Sequence, residues 1–224
     1  MWEWLFPKIC ASCGAPLLRG ERQVCIGCLL RLPQTLFWKA PRQNEGYFRL
    51  APHVPAVEGV VAGFWYTPGS PLREWVRLAK YHHQPVPLRE AARYLAFLVQ
   101  EEGQVPLDSL EGILPVPIGR KRLQQRGYNQ AEWVAYGLAE RWGKPVLKGR
   151  WQRRPQSRSQ VGKSRIERWI SLEGEFVCTG PVPKTIAVVD DVLTTGATLQ
   201  AALASLPPDV RVWVFTVGIT QRRR

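Results

Sequence analysis

The chain of 224 residues contains no run of about 18 apolar residues, so no membrane-spanning helix is expected. Its opening, Met1-Trp2-Glu3-Trp4-Leu5-Phe6, lacks the basic start and the long apolar stretch of a secretory signal, and a cytoplasmic location is the expectation. No Gly-x-Gly-x-x-Gly fingerprint and no Gly-x-x-x-x-Gly-Lys loop occurs, which argues against dinucleotide and P-loop nucleotide sites. Internal repeats and low-complexity segments are absent. Acidic residues are outnumbered, 18 against 31 basic ones, for a net charge of +13. That excess is regional: residues 115–168 hold 14 Lys/Arg and three Asp/Glu, and Arg222, Arg223 and Arg224 end the chain. A field concentrated in this way attracts polyanions such as phosphates, diphosphates or nucleic acid.

What is present is an ordinary globular balance, 45% apolar and 22% charged, with ten tryptophans expected mostly in the core. Three zones follow one another. Residues 1–32 carry four of the five cysteines and read as a metal-binding module. Residues 33–111 are a mixed hood or linker region, with a strand near Val60–Tyr66 and helices near Pro71–Lys80 and Leu88–Glu102. Residues 112–224 alternate strand and helix, which implies an α/β fold with a parallel sheet flanked by helices. The strands are expected at Gly112–Pro117, Pro145–Leu147, Thr185–Val189 and Val210–Val217. Helices are expected at 129–142, with Asn129 as N-cap, and at 197–206. The basic, aperiodic stretch 151–168 reads as a long functional loop.

The segment Ile186-Ala187-Val188-Val189-Asp190-Asp191-Val192-Leu193-Thr194-Thr195-Gly196-Ala197-Thr198 carries the strongest chemistry. Four apolar residues bury a strand, and two carboxylates follow where an open α/β sheet binds its ligands. Thr194, Thr195, Gly196, Ala197 and Thr198 then lead into a helix, whose first N–H groups suit a phosphate. Carboxylates would repel a bare phosphate. They suit a sugar phosphate, accepting from hydroxyls while the turn holds the phosphoryl group, and this points to ribose 5-phosphate.

Cys10, Cys13, Cys25 and Cys28 form two Cys-x-x-Cys turns. Two such turns can complete a tetrahedron around one metal, and a structural Zn2+ is the expectation. A redox pair or an iron–sulfur cluster is the lesser alternative. Cys178 stands apart and reads as packing.

The thirteen-residue segment resembles the phosphoribosyl-diphosphate (PRPP) motif of type I phosphoribosyltransferases. With the cysteine turns, Pro71–Glu74, Leu78–Tyr81, Leu114–Pro117, Arg122–Glu132 and Gln160–Arg168, the chain resembles the ComF family of competence-associated proteins. Ser171 departs from the Asn expected there. The resemblance implies a type I phosphoribosyltransferase core with a small zinc-ribbon-like N-terminal module. It implies that the loop ending at Arg120 contacts diphosphate, and that Arg158, Lys163, Arg165 and Arg168 on a flexible loop neutralise it. It also implies a role in natural transformation, with single-stranded DNA and the competence machinery as partners. Trp151 and Trp169, flanking the basic loop, are either base-stacking platforms or buried packing. The second functional reading is an active phosphoribosyltransferase, a glycosyl-transferring enzyme that joins PRPP to a base or amine with Mg2+ on the departing diphosphate.

Overall fold

The computed structural model describes residues 8–154 and 174–221. In chain order these form α1 (Ile26–Leu30), α2 (Glu45–Leu50), β1 (Val57–Trp65), α3 (Pro71–Tyr81), α4 (Val86–Glu102), β2 (Gly112–Pro115), α5 (Arg120–Arg126) and α6 (Gln130–Trp142). They continue with β3 (Trp151–Arg153), β4 (Phe176–Cys178), β5 (Thr185–Leu193), α7 (Ala197–Leu203) and β6 (Arg211–Ile219).

The centre is a four-stranded sheet in the order β1-β6-β5-β2, parallel at every junction. A parallel sheet is stable when both faces are covered, and alternating residues of β5 do this here. Ala187 and Val189 pack in one core with Leu72, Trp75, Leu88, Leu95, Val134 and Leu138, which come from α3, α4 and α6. Ile186 and Val188 pack in a second core with Leu199, Leu203, Trp151 and Phe176. Three layers result, an α/β fold as expected.

Local sequence explains the helices that position the site. Ser70 caps α3 by accepting from the Arg73 N–H, Pro71 opens its first turn, and Leu72, Trp75, Val76 and Ala79 form its buried stripe. Asn129 caps α6 by accepting from the Ala131 N–H, and Gly143 ends it in the left-handed region at φ 66°. A Cβ on Gly137 of α6 would come within 2.5 Å of the Arg89 carbonyl, so only glycine allows α4 this close.

The expected elements appear with shifted bounds. The strand expected at 145–147 is reduced to one bridge between Val146 and Ile113, because Pro145 has no N–H to extend the ladder. The helix expected to 206 stops at Leu203. Zone 33–111 supplies β1, which pairs with β6, so a strand from the expected hood or linker completes the central sheet. Trp151–Arg153, expected as loop, pairs antiparallel with Phe176–Cys178. The rest of the expected basic loop, with Arg158, Lys163, Arg165, Arg168 and Trp169, lies outside the described residues. Trp151 is buried and donates from its indole to Ser205 Oγ at 2.8 Å, so packing holds and a base-stacking platform does not.

Candidate functional site: the carboxyl edge of the sheet

All four strands end at one edge, and the predicted ligand segment lies there. β2 stops at Pro115, paired with Val189, whereas β5 runs on to Leu193 against β6. From Asp190 onward, β5 is therefore open on the β2 side, facing the loop that leads to Arg120. The carboxylates thus sit within the last four residues of the strand rather than at its tip.

Strand alternation sends the two carboxylates to opposite faces of the sheet. Asp191 turns toward α3, where Lys80 Nζ lies 2.7 Å from its Oδ2. Asp190 turns toward the β3–β4 side and senses the charge of Arg153. Burial, with the neighbouring Asp191 charge, pushes the Asp190 carboxyl up to about 7, against the pull of the Asp191 N–H, Lys80 and Arg153. Burial works against the Lys80 ammonium too, but Asp191 holds it above the ordinary lysine range.

A pH dependence follows. The folded pKa of Asp190, about 7, exceeds the unfolded carboxylate value of about 3.9, so the folded chain binds the extra proton between these values. This group's contribution makes the ligand-free chain lose stability as pH rises through that window. Denaturant melts at several pH values should show the slope, and Asp190→Asn should remove it. An unchanged slope in that variant would place the titration elsewhere.

The turn beyond the strand is formed by Thr194, Thr195 and Gly196, with both threonines exposed. Gly196 lies at φ 91°, and a Cβ there would meet Leu50 Cδ2 at 3.0 Å. Replacing Gly196 with Val is expected to strain the turn by about 1–3 kcal/mol and to abolish phosphate binding before it unfolds the chain. Equal phosphate affinity in a folded Gly196→Val protein would contradict this. Ala197 opens α7 and donates its N–H to Thr195 Oγ1 at 3.4 Å, and Thr198 is exposed on the first helical turn.

A brace under this turn had no signature in the sequence. Arg49 of α2 is 3% exposed. Its guanidinium donates to the Thr194 and Thr220 carbonyls and pairs with Glu45. Gln200 of α7 donates in turn to the Arg49 carbonyl at 2.8 Å. The run Arg126–Glu132 also proves to be scaffolding. Tyr128 donates to the Ala79 carbonyl beside Lys80, and Asn129 donates to the Val116 carbonyl at 2.9 Å.

Arg120 opens α5 and lines a cavity of about 630 Å3 together with Pro117, Ile118, Gln152, Arg153 and Arg154. Arg153 is fixed by Glu175 at 2.7 Å. Arg153 and Arg154 therefore share this basic cavity with Arg120, although neither stood out in the sequence. The Mg2+ implied with PRPP finds no ready seat on the acidic pair, because Asp191 is occupied by Lys80 and Asp190 faces the other way.

The four N-terminal sulfurs lie within 4.8 Å of one another. Cys10 and Cys28 Sγ are 3.8 Å apart, and Cys13 and Cys25 Sγ 3.7 Å. Tetrahedral Zn–S bonds of about 2.3 Å require sulfur–sulfur edges of roughly 3.8 Å, so the arrangement fits zinc and can hold the ion. Burial opposes the Cys10 thiolate, but the N–H groups of Cys25, Cys13 and Ser12 bring it to about 6. Burial and the neighbouring thiols push Cys25 up to about 12, so a cation is needed for all four to ionise together. Arg31 donates to Cys28 Sγ at 3.0 Å.

No family model matches the chain. It is similar to Competence protein F of Haemophilus influenzae, 32% identical over 136 residues. The match takes in 58% of this chain and 59% of that protein, so it spans about three-fifths of the relative. This similarity supports the resemblance to the ComF family. Its cysteine cluster and its parallel sheet fit what the resemblance implies for ComF proteins. No helix among its described residues is long and apolar enough to cross a membrane.

Proposed function

We propose that this chain is a ComF-type protein that binds PRPP or ribose 5-phosphate at the carboxyl edge of its sheet and acts in DNA uptake during natural transformation. The observation that carries the reading is the open stretch of β5. There a largely buried Asp190 is followed by the Arg49-braced turn Thr194–Gly196, whose two threonines are exposed. Asp190 accepts from a ribose hydroxyl. The turn amides and threonine hydroxyls hold the 5-phosphate. Arg120, Arg153 and Arg154 receive a diphosphate, and Arg158, Lys163, Arg165 and Arg168 remain candidates for the same task. Because ionised Asp190 is the stronger acceptor, affinity should rise as pH passes through about 7.

Single-stranded DNA handling rests on the regional charge, which would track phosphates with a steep salt dependence. The similarity to a protein named for competence supports the cellular role. The resemblance to phosphoribosyltransferases supports a second reading, and the cluster of Arg120, Arg153 and Arg154 favours it. Such guanidinium groups near a sugar-binding Asp190 would stabilise charge developing on departing diphosphate.

Titration of the zinc-loaded chain with PRPP across a pH series tests the binding reading. Saturable binding should weaken by about tenfold or more in Asp190→Asn, as expected for a lost hydrogen bond to a charged group. Diphosphate release with a panel of bases and amines tests turnover, and silence across the panel would remove the enzyme reading.

A further inference from the structure

Two adjacent carboxylates beside a phosphate site would ordinarily be assigned to a divalent cation. Here one of them already has a cation built into the fold. Lys80 approaches Asp191 from α3, with side-chain exposures of 29% and 11%. Its position is not that of a wandering surface lysine. α3 is anchored by Trp75 and Leu72, both fully buried, and Tyr128 bonds the carbonyl of the preceding residue, Ala79. On its other side, Lys80 lines a cavity of about 1170 Å3 with Tyr66, Arg73 and Arg77, so another positive charge would enter an already cationic wall. A metal ion at Asp191 would have to expel Lys80 or lie beside it, and like charges at such range repel strongly when partly buried.

We infer that Lys80 is a positioning residue which takes the place of a divalent metal at the acidic pair, holding Asp191 so that Asp190 is left to accept from the sugar. This inference rests on the ribose-phosphate reading for the role of Asp190, but the Lys80–Asp191 pairing does not depend on it. Lys80 offsets the repulsion between the neighbouring carboxylates and keeps Asp190 ionisable near neutral pH. Without that charge Asp190 takes up a proton more readily and accepts more weakly. Any Mg2+ that arrives with PRPP would then travel on the diphosphate oxygens and not be held by Asp191.

The test is Mn2+ titration of the zinc-loaded full chain, followed by water proton relaxation, alongside calorimetric titration with ribose 5-phosphate with and without Mg2+. Wild type should show no Mn2+ seat at the pair, and its ribose 5-phosphate affinity should not change with Mg2+. Lys80→Met should gain Mn2+ affinity by about tenfold or more, as expected when one nearby positive charge is removed from a carboxylate pair. Its ribose 5-phosphate affinity should fall and then recover with Mg2+. Lys80→Gln keeps a polar contact to Asp191 without the charge and should behave like Lys80→Met even if the methionine variant folds poorly. Lys80→Arg should behave like wild type, and Asp191→Asn added to Lys80→Gln should erase the Mn2+ gain. A wild-type chain that takes Mn2+ as tightly as Lys80→Gln would overturn the inference. So would a Lys80→Gln chain with a lowered melting temperature and no new Mn2+ site. If wild type binds no sugar phosphate yet Lys80→Gln gains Mn2+, the ribose reading fails and the assignment of Lys80 stands.

Discussion

Stripping the metal from the four-cysteine cluster, or replacing Cys28 with Ser, is expected to unfold the N-terminal module and to lower the melting temperature of the whole chain. Structural zinc sites of this type supply on the order of 10 kcal/mol of folding free energy. The described secondary structure of residues 8–32 is only one five-residue helix and an isolated bridge between Ile9 and Pro16, although Val24, Leu29 and Leu32 pack into the core. The effect should reach the core through Arg22, which lies between the two cysteine turns. Its guanidinium meets Glu140 of α6 at 2.6 Å and Glu90 of α4 at 3.6 Å. Glu90 has a side chain only 2% exposed and is otherwise paired with Arg93 at 2.8 Å. Losing Arg22 leaves a buried carboxylate with half its compensation, which costs stability. Zinc content, a thermal melt and protease sensitivity near residue 22 would be measured together. A chelated, zinc-free chain with an unchanged melt would show that the cluster is not a folding element.

The second large effect is expected at Arg49→Leu. That substitution leaves the carbonyls of Thr194 and Thr220 without their donor and removes an ion-pair partner from Glu45. Breaking a buried charged network of this kind costs about 3–5 kcal/mol. The loss falls on the turn that should hold the phosphoryl group. Sugar-phosphate affinity should therefore drop more steeply than the fraction of folded protein. Denaturant melts paired with calorimetric titration separate the two losses. A variant that is destabilised but binds with wild-type affinity would show that Arg49 supports the fold and not the turn.

These two expectations differ in how far the sequence announced them. The cysteine turns were legible because metal ligation imposes a short local spacing, and the sulfurs do converge. The segment Ile186–Thr198 was legible for the same reason: buried strand, acidic pair, turn and helix follow one another along the chain. Arg49 was not legible, because it reaches Thr194 across 145 residues from a six-residue helix. Lys80 read as one more charged residue on an amphipathic helix until the sheet brought it to Asp191. The helix at Arg120–Arg126 buries no side chain, so it leaves no apolar period to detect. The pairing of β1 with β6 joins the middle zone to the last strand, and strand propensity does not choose partners at that separation. Trp151, beside a basic run, is placed in the core by its pairing with β4 and by Phe176, a partner outside its own neighbourhood in the sequence.

The most direct measurement is the affinity of the zinc-loaded chain for ribose 5-phosphate, compared between wild type and Gly196→Val. Saturable binding by wild type, lost in a variant that remains folded, is the outcome expected if the edge of the sheet beyond Asp190 holds a pentose phosphate. Absence of binding by wild type at any pH between 6 and 9, across the titration range about Asp190, or equal binding by both proteins, would contradict it.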